Sequence, residues 1–253
     1  MAWIKKTFKF LGILLGILLV AAVAIYFIYN EPLPEVKKGE DASDLVEKIQ
    51  KAINQTAWDN THFVEWSFRG DHHYIWDKQR HLVSVKWGEN TVLLNANNKT
   101  GVVYQDSVKL QDRGQINELV NTAYTYFIND AFWFNAPAQI AGDDRKLEVV
   151  KMPDSTNALL VTYLSGGVTP GDSYLWILDE TGLPKAWKMW TSIIPVGGIE
   201  TSWEEWTTLS TGAKVATKHD GGMLQIPIEN IKAYQTMEEG KWQNDIFAEL
   251  VNQ

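Results

Sequence analysis

His62 to Asn95 reads HFVEWSFRGDHHYIWDKQRHLVSVKWGENTVLLN, and the fold class follows from how this stretch is parsed. It divides into HFVEWSFRG, DHHYIWD, RHLVSVKW and a run opening TVLLN, with turn-forming residues at each break. Within each run, β-branched and aromatic residues fall at near-alternate positions. That pattern predicts short strands with one buried face and one more polar face, joined as an antiparallel meander. Two-residue turns at Gly70-Asp71 and Lys78-Gln79 would set Phe68 opposite His73 and Trp76 opposite His81. In that register Trp66 and Phe68 share one face while Trp76 and Trp87 share the other, so only one pair lines an interior.

Four of the five histidines lie between residues 62 and 81, which raises a metal site. The register opposes it. His72 and His81 share a face but stand four residues apart along the sheet, roughly 13 Å at ~3.3 Å per residue. Metal ligands must lie within ~2.0–2.1 Å of one ion, so no metal is expected, and no cofactor. Hydrolase, zincin, P-loop and dinucleotide-binding signatures are missing. The acid pairs Asp143-Asp144, Asp179-Glu180 and Glu204-Glu205 are neighbours in sequence, and neighbours on a strand point to opposite faces. They read as solvated turn or edge charges, not as a facing carboxylate dyad. No enzyme activity is expected.

Upstream, Phe10 to Tyr29 is an uncharged apolar run of the length that crosses a ~30 Å hydrocarbon core as a helix. Lys5, Lys6 and Lys9 precede it, and Glu31 and Glu35 follow. The basic flank stays cytoplasmic, which predicts a single-pass anchor with everything after residue 30 outside the cytoplasm. A cleaved signal peptide is the competing reading, because Ala22-Val23-Ala24 has the form of a cleavage site. The run continues through Ile25 to Tyr29, which favours the anchor. Residues 1–9 are then a cytoplasmic tail, 10–29 the span and 30–40 an extended tether containing Pro32 and Pro34. Asp41 to Asn54 has Leu45, Val46, Ile49, Ala52 and Ile53 at helical spacing, with Asp41, Ser43 and Asp44 as cap candidates.

Downstream, Val102 to Tyr104 is a short strand. From Asp112 to Asp130 the period becomes helical through Ile116, Leu119, Val120, Ala123, Tyr124, Phe127 and Ile128. An aromatic knot, Phe132-Trp133-Phe134-Asn135-Ala136-Pro137, ends it. Further strands are expected at 147–152, 158–164, 173–179, 185–191, 203–209, 213–218 and 223–228. The total is about eleven strands in a sheet large enough to curl. Residues 41–237 are read as one domain. Residues 238–253 form a C-terminal amphipathic helix carrying Trp242, Ile246, Phe247, Leu250 and Val251.

Composition narrows the partners. A formal charge of -8, with no basic cluster beyond the N-terminal tail, argues against nucleic acid. The absence of cysteine excludes disulfides, thiolate sites and lipid attachment at an N-terminal cysteine. The notable excess is 12 Trp in 253 residues, rings that suit either a solid core or a greasy cavity. Candidate cavity-lining residues are Trp66, Phe68, Trp76, Trp87, Trp133, Tyr174, Trp176, Trp187 and Trp190.

Phe68-Arg69-Gly70, Tyr74-Ile75-Trp76-Asp77, the aromatic knot at 132–137 and above all Tyr174-Leu175-Trp176-Ile177-Leu178-Asp179-Glu180-Thr181-Gly182-Leu183-Pro184 carry a resemblance. Over approximately residues 41–237 the chain resembles the LolA/LolB superfamily of bacterial lipoprotein carriers. The resemblance implies an unclosed β-barrel plugged by helices, with an apolar cavity that takes acyl chains. Its ligand would be a lipid or lipoprotein acyl chain, at the periplasmic side of a bacterial inner membrane. The chain departs from the family in having no lipidated cysteine and a retained anchor, so it would receive, present or sense lipid near its own membrane. The alternative is an envelope protein with a solid core that docks a protein partner and holds no ligand.

Overall fold

The structure, a computed structural model, describes residues 2–165, 169–222 and 224–251. The first element, α1 (Ala2–Tyr29), contains a segment, Lys6–Tyr29, long and apolar enough to cross a membrane. Then come α2 (Ser43–Ile53) and α3 (Gln55–Asn60). Asn54 adopts φ 58° at their junction, ending α2, while its side chain accepts from the Ala57 N–H and starts α3. The meander follows as β1 (Phe63–Phe68), β2 (His72–Asp77), β3 (Leu82–Trp87), β4 (Asn90–Asn95), β5 (Thr100–Gln105) and β6 (Val108–Lys109). Next is α4 (Arg113–Asn135), capped by Asp112, whose carboxylate accepts from the Gln115 N–H at 2.8 Å. A second set comprises β7 (Arg145–Lys151), β8 (Asn157–Tyr163), β9 (Ser173–Leu178), β10 (Pro184–Trp190) and β11 (Ile199–Ser202). The remainder is β12 (Thr207–Thr208), β13 (Lys214–Val215), β14 (Lys218–Asp220), β15 (Gln225–Tyr234) and α5 (Ala248–Val251).

The fold is mainly β, antiparallel and unclosed. The strands divide between an eight-stranded sheet, β14-β15-β1-β2-β3-β4-β5-β6, and a five-stranded sheet, β11-β10-β9-β8-β7, with β12-β13 as a separate hairpin. One curled sheet of about eleven strands was the expectation; here two sheets meet where β11 runs beside β14. At that seam Asp220 N–H donates to Ser202 Oγ at 2.9 Å and Glu204 bridges Lys218. The strand expected at 203–209 is broken, because Glu205 takes φ 54° and turns the chain after β11. The strand expected to start at 223 runs from Gln225 to Tyr234, and Met223 lies outside the described residues.

The meander's register differs from the expected one by a single residue between β1 and β2 and by two between β2 and β3. The β1–β2 turn uses three residues, Arg69, Gly70 and Asp71, with Arg69 at φ 53° and Gly70 at φ 73°. Phe68 therefore faces His72, Trp66 faces Tyr74 and Val64 faces Trp76. The β2–β3 turn takes four residues, so Asp77 faces Leu82 and His72 faces Trp87. Directly opposed residues share a face, and a slip of one moves a whole set across the sheet. Trp66, Phe68, Trp76 and Trp87 thus all lie on one face, not two on each.

Residues 30–37 do not form a free tether. The Asn30 side-chain oxygen accepts from Gly197 N–H at 2.8 Å, and Glu31 N–H donates to Gly197 O at 3.0 Å. Trp190 Nε1 donates to the Glu31 carbonyl at 2.8 Å, and Lys188 Nζ pairs with the Glu31 carboxylate at 2.7 Å. Val36 then packs on the outer face of the five-stranded sheet with Val150, Leu160, Leu175 and Trp190, and Lys37 N–H reaches Val149 O on the free edge of β7. Gly197 permits this approach, since a Cβ there would stand 2.4 Å from the Trp190 ring and 2.9 Å from Glu31 O.

The C-terminal segment is a buttress, and among the described residues only Ala248–Val251 of the expected helix is helical. Phe247 is fully buried against Leu82, Leu93 and Val102, on the sheet face opposite α4. Arg80 holds it there, gripping Asp245 through two bonds of 2.6 and 2.9 Å while its Nε bonds the buried Asp77 at 2.6 Å. Phe247→Ala removes the largest contact of this segment and is expected to cost about 3–5 kcal/mol. Chemical denaturation checks it, and a loss below about 1 kcal/mol would show that the segment is not part of the cooperative fold.

Candidate functional site

The expected ligand cavity lies between the concave sheets and α4. Trp66 stacks on Tyr74 at 4.5 Å and on Phe134 of α4 at 5.0 Å. Trp76 meets Phe127 edge-on at 5.3 Å, and Trp87 meets Tyr126 at 5.5 Å. Phe68 completes this cluster beside Ile226 and Ile228. On the five-stranded sheet, Trp187 is central: Trp133 stands at 4.9 Å, Trp176 at 4.9 Å, Tyr174 at 4.8 Å and Trp203 at 5.0 Å. Trp133 joins the two clusters, since its ring packs against both.

Eight of the nine predicted residues thus belong to or pack against the two interior clusters. Trp190 is not among them. It lies on the outer face with Val36, its N–H on Glu31, because alternation along β10 puts Trp187 and Met189 inside and Lys188 and Trp190 outside. Trp203 and His219 belong to the interior and were not singled out. Trp203 contacts His219 at 4.3 Å, where β11 and β14 meet.

The rings fill the space they line. Trp176, Trp187 and Phe134 have no exposed surface, and Trp66 is 1% exposed. A small cleft beside them, between Ile53, Trp58, Phe134, Pro137, Trp206 and Val215, has about 10 Å³, room for one water at most. A groove of about 350 Å³ lies between Thr207–Ser210 and Ile231–Tyr234.

Polar contacts lock α4 in this position. Asp130 is 2% exposed, and its Oδ2 accepts from Tyr74 Oη at 2.5 Å and lies 2.7 Å from His72 Nδ1. Asn129 Nδ2 donates to Oδ1 at 2.9 Å. Burial, then the Asp130 charge, raises the Tyr74 phenol far above its ordinary pKa, so it remains a donor. The sequence carried a signal for this: Asp130 sits on the helical stripe with Phe127, Ala131 and Phe134, where a carboxylate needs partners. The other histidines serve separate contacts, His62 on Asp77 and His73 on Ser67 Oγ. Among the described residues no group of three metal-ligating side chains converges.

Several donors in the interior have no protein acceptor. They include the indole N–H groups of Trp66, Trp76, Trp176, Trp187 and Trp203. His219 is fully buried, with Nδ1 3.1 Å from Ser202 O and Nε2 unpartnered.

No family model and no curated protein matches the chain. A crystal structure of a DUF1329 family protein from Desulfovibrio piger aligns over 76% of this chain and 92% of its own, at 9% identity and a TM-score of 0.36. At that score the likeness bears on neither fold nor function.

Burial depresses the His219 pKa from 6.5 to about 4. As pH falls, the unfolded chain therefore takes up this proton first. The stability at stake is fully present above about pH 6.5, declines between 6.5 and 4, and is lost below that, about 3 kcal/mol in all. Denaturation at pH 7 and pH 4.5 should show a smaller drop for His219→Asn than for the unsubstituted protein. Equal drops would remove His219 as the source.

Proposed function

We propose that this chain is a single-pass membrane protein of a bacterial envelope. Its domain is held outside the cytoplasm by α1 and acts by binding at its surface around a solid core, without catalysis. The observation that carries this reading is the closed interior. Ligand pockets occupy about 300–1,000 Å³, whereas Trp66, Trp176 and Trp187, which would line one here, are 0–1% exposed. The basic flank of Lys5, Lys6 and Lys9 supports the orientation.

A second reading keeps the acyl ligand implied by the LolA/LolB resemblance, and one observation favours it. Five buried indole donors without acceptors are costly, and a molecule bringing ester or amide oxygens would relieve them. Entry would require α4 to leave the sheet, breaking the Asp130 contacts with Tyr74 and His72.

Photo-crosslinking distinguishes the two. Full-length protein in nanodiscs is irradiated with a phospholipid carrying a diazirine at its acyl terminus, and adducts are mapped by peptide mass spectrometry. The solid-core reading predicts adducts on α1 and none on the peptides containing Trp66, Trp176 or Trp187. Adducts on those peptides would overturn it and establish the acyl-binding reading.

A further inference from the structure

The clamp between residues 30–31 and Gly197 fixes which end of the domain meets the membrane. Asn30 N–H still bonds Tyr26 O at 2.9 Å as a continuation of α1, and the next contacts are already to Gly197. No slack separates the span from the 191–198 turn that joins β10 to β11. Wherever α1 leaves the bilayer, this turn stands beside it.

Two more connections lie at the same end. Leu164, just past β8, and Asp172, just before β9, lie there, and Asp172 is tied to the 191–198 turn, since Ser192 N–H donates to its Oδ1 at 2.8 Å. Gly221, after β14, lies alongside the start of β11, and its N–H donates to Leu224 O, just before β15, at 2.9 Å. The pairs Glu204–Lys218 and Ser202–Asp220 bring Gly221 against Thr201 and the Glu200 carbonyl. Each connection exposes a large aliphatic side chain: Ile193 is 73% exposed, Leu164 57% and Leu224 46%. Leu33, just past the clamp, is 49% exposed. Outside α1, six large hydrophobic residues stand exposed among the described residues, the other two being Val108 and Val251. Four of six at one end, on separate segments, is a concentration and not surface scatter.

The charges say what this rim fits. Its cations are already neutralised, Lys188 by Glu31 and Arg145 by Asp144, and Asp143, Asp172 and Glu200 lie nearby. Nothing here attracts an anionic surface. Isolated aliphatic tips on turns beside a span suit shallow insertion at the boundary of headgroups and acyl chains.

We propose that Leu164, Ile193 and Leu224 insert into the interface of the bilayer that α1 spans, seating the domain in one fixed orientation on neutral lipid. This rests on the reading of α1 as a membrane span. The opposite end of the five-stranded sheet, with the 179–183 turn, then points away from the membrane.

The cysteine-free chain allows single-site labelling. Full-length Leu164→Cys, Ile193→Cys, Leu224→Cys, Glu180→Cys and Leu14→Cys variants are labelled with an NBD fluorophore. They are reconstituted in phosphatidylcholine nanodiscs containing a lipid with a nitroxide high on its acyl chain. The expected result is blue-shifted emission and several-fold stronger quenching at 164, 193 and 224 than at 180. Rim probes that match position 180, with Leu14 strongly quenched, would overturn the seated orientation while leaving the anchor in place. An unquenched probe at Leu14 would overturn the span itself, and the proposal with it.

Discussion

The interior depends on a turn of three residues. Because Arg69 accepts a left-handed conformation ahead of Gly70, β2 returns with Trp76 opposite Val64 instead of offset by one. That register puts Trp66, Tyr74, Trp76 and Trp87 on the same side of the sheet, and α4 must cover them all. A two-residue turn would have sent Trp76 and Trp87 to the other face, where Leu82, Leu93 and Val102 receive Phe247 instead. Both layers of the eight-stranded sheet therefore follow from one backbone position.

Covering so many rings with one helix requires a fixed helix. Apolar contact alone is non-directional, and the Asp130 contacts with Tyr74 and His72 supply direction. A buried carboxylate left without these partners is strongly destabilising, so α4 has one position on the sheet that satisfies it. On the far face, Asp77, Arg80 and Asp245 do the same for the C-terminal segment. In each case a charged contact sets the placement of an apolar layer.

The sequence made the elements legible and left their relations mostly hidden. The four meander strands and α4 follow period and turn residues, because these are local signals. The break in the strand expected at 203–209 comes from Glu205 in the left-handed region. The register was not legible, since a non-glycine residue at φ 53° leaves no mark in composition. The C-terminal pattern named the buried residue, Phe247, but not its conformation, because a few apolar residues can be buried from turns as well as from a helix. The clamp of residues 30–31 on Gly197 joins positions over 160 residues apart, which no local pattern reports. The aromatic excess announced the site, while whether rings enclose space or fill it depends on three-dimensional packing density.

Together these contacts make α4 and the two sheets one closed unit. Amide hydrogen exchange on the full-length protein in nanodiscs measures this most directly. Amides of residues 120–134 are expected to exchange only through global unfolding, with the same opening free energy as the amides of β1 to β4. Opening of α4 at a free energy well below the global value, while β1 to β4 remain protected, would contradict it.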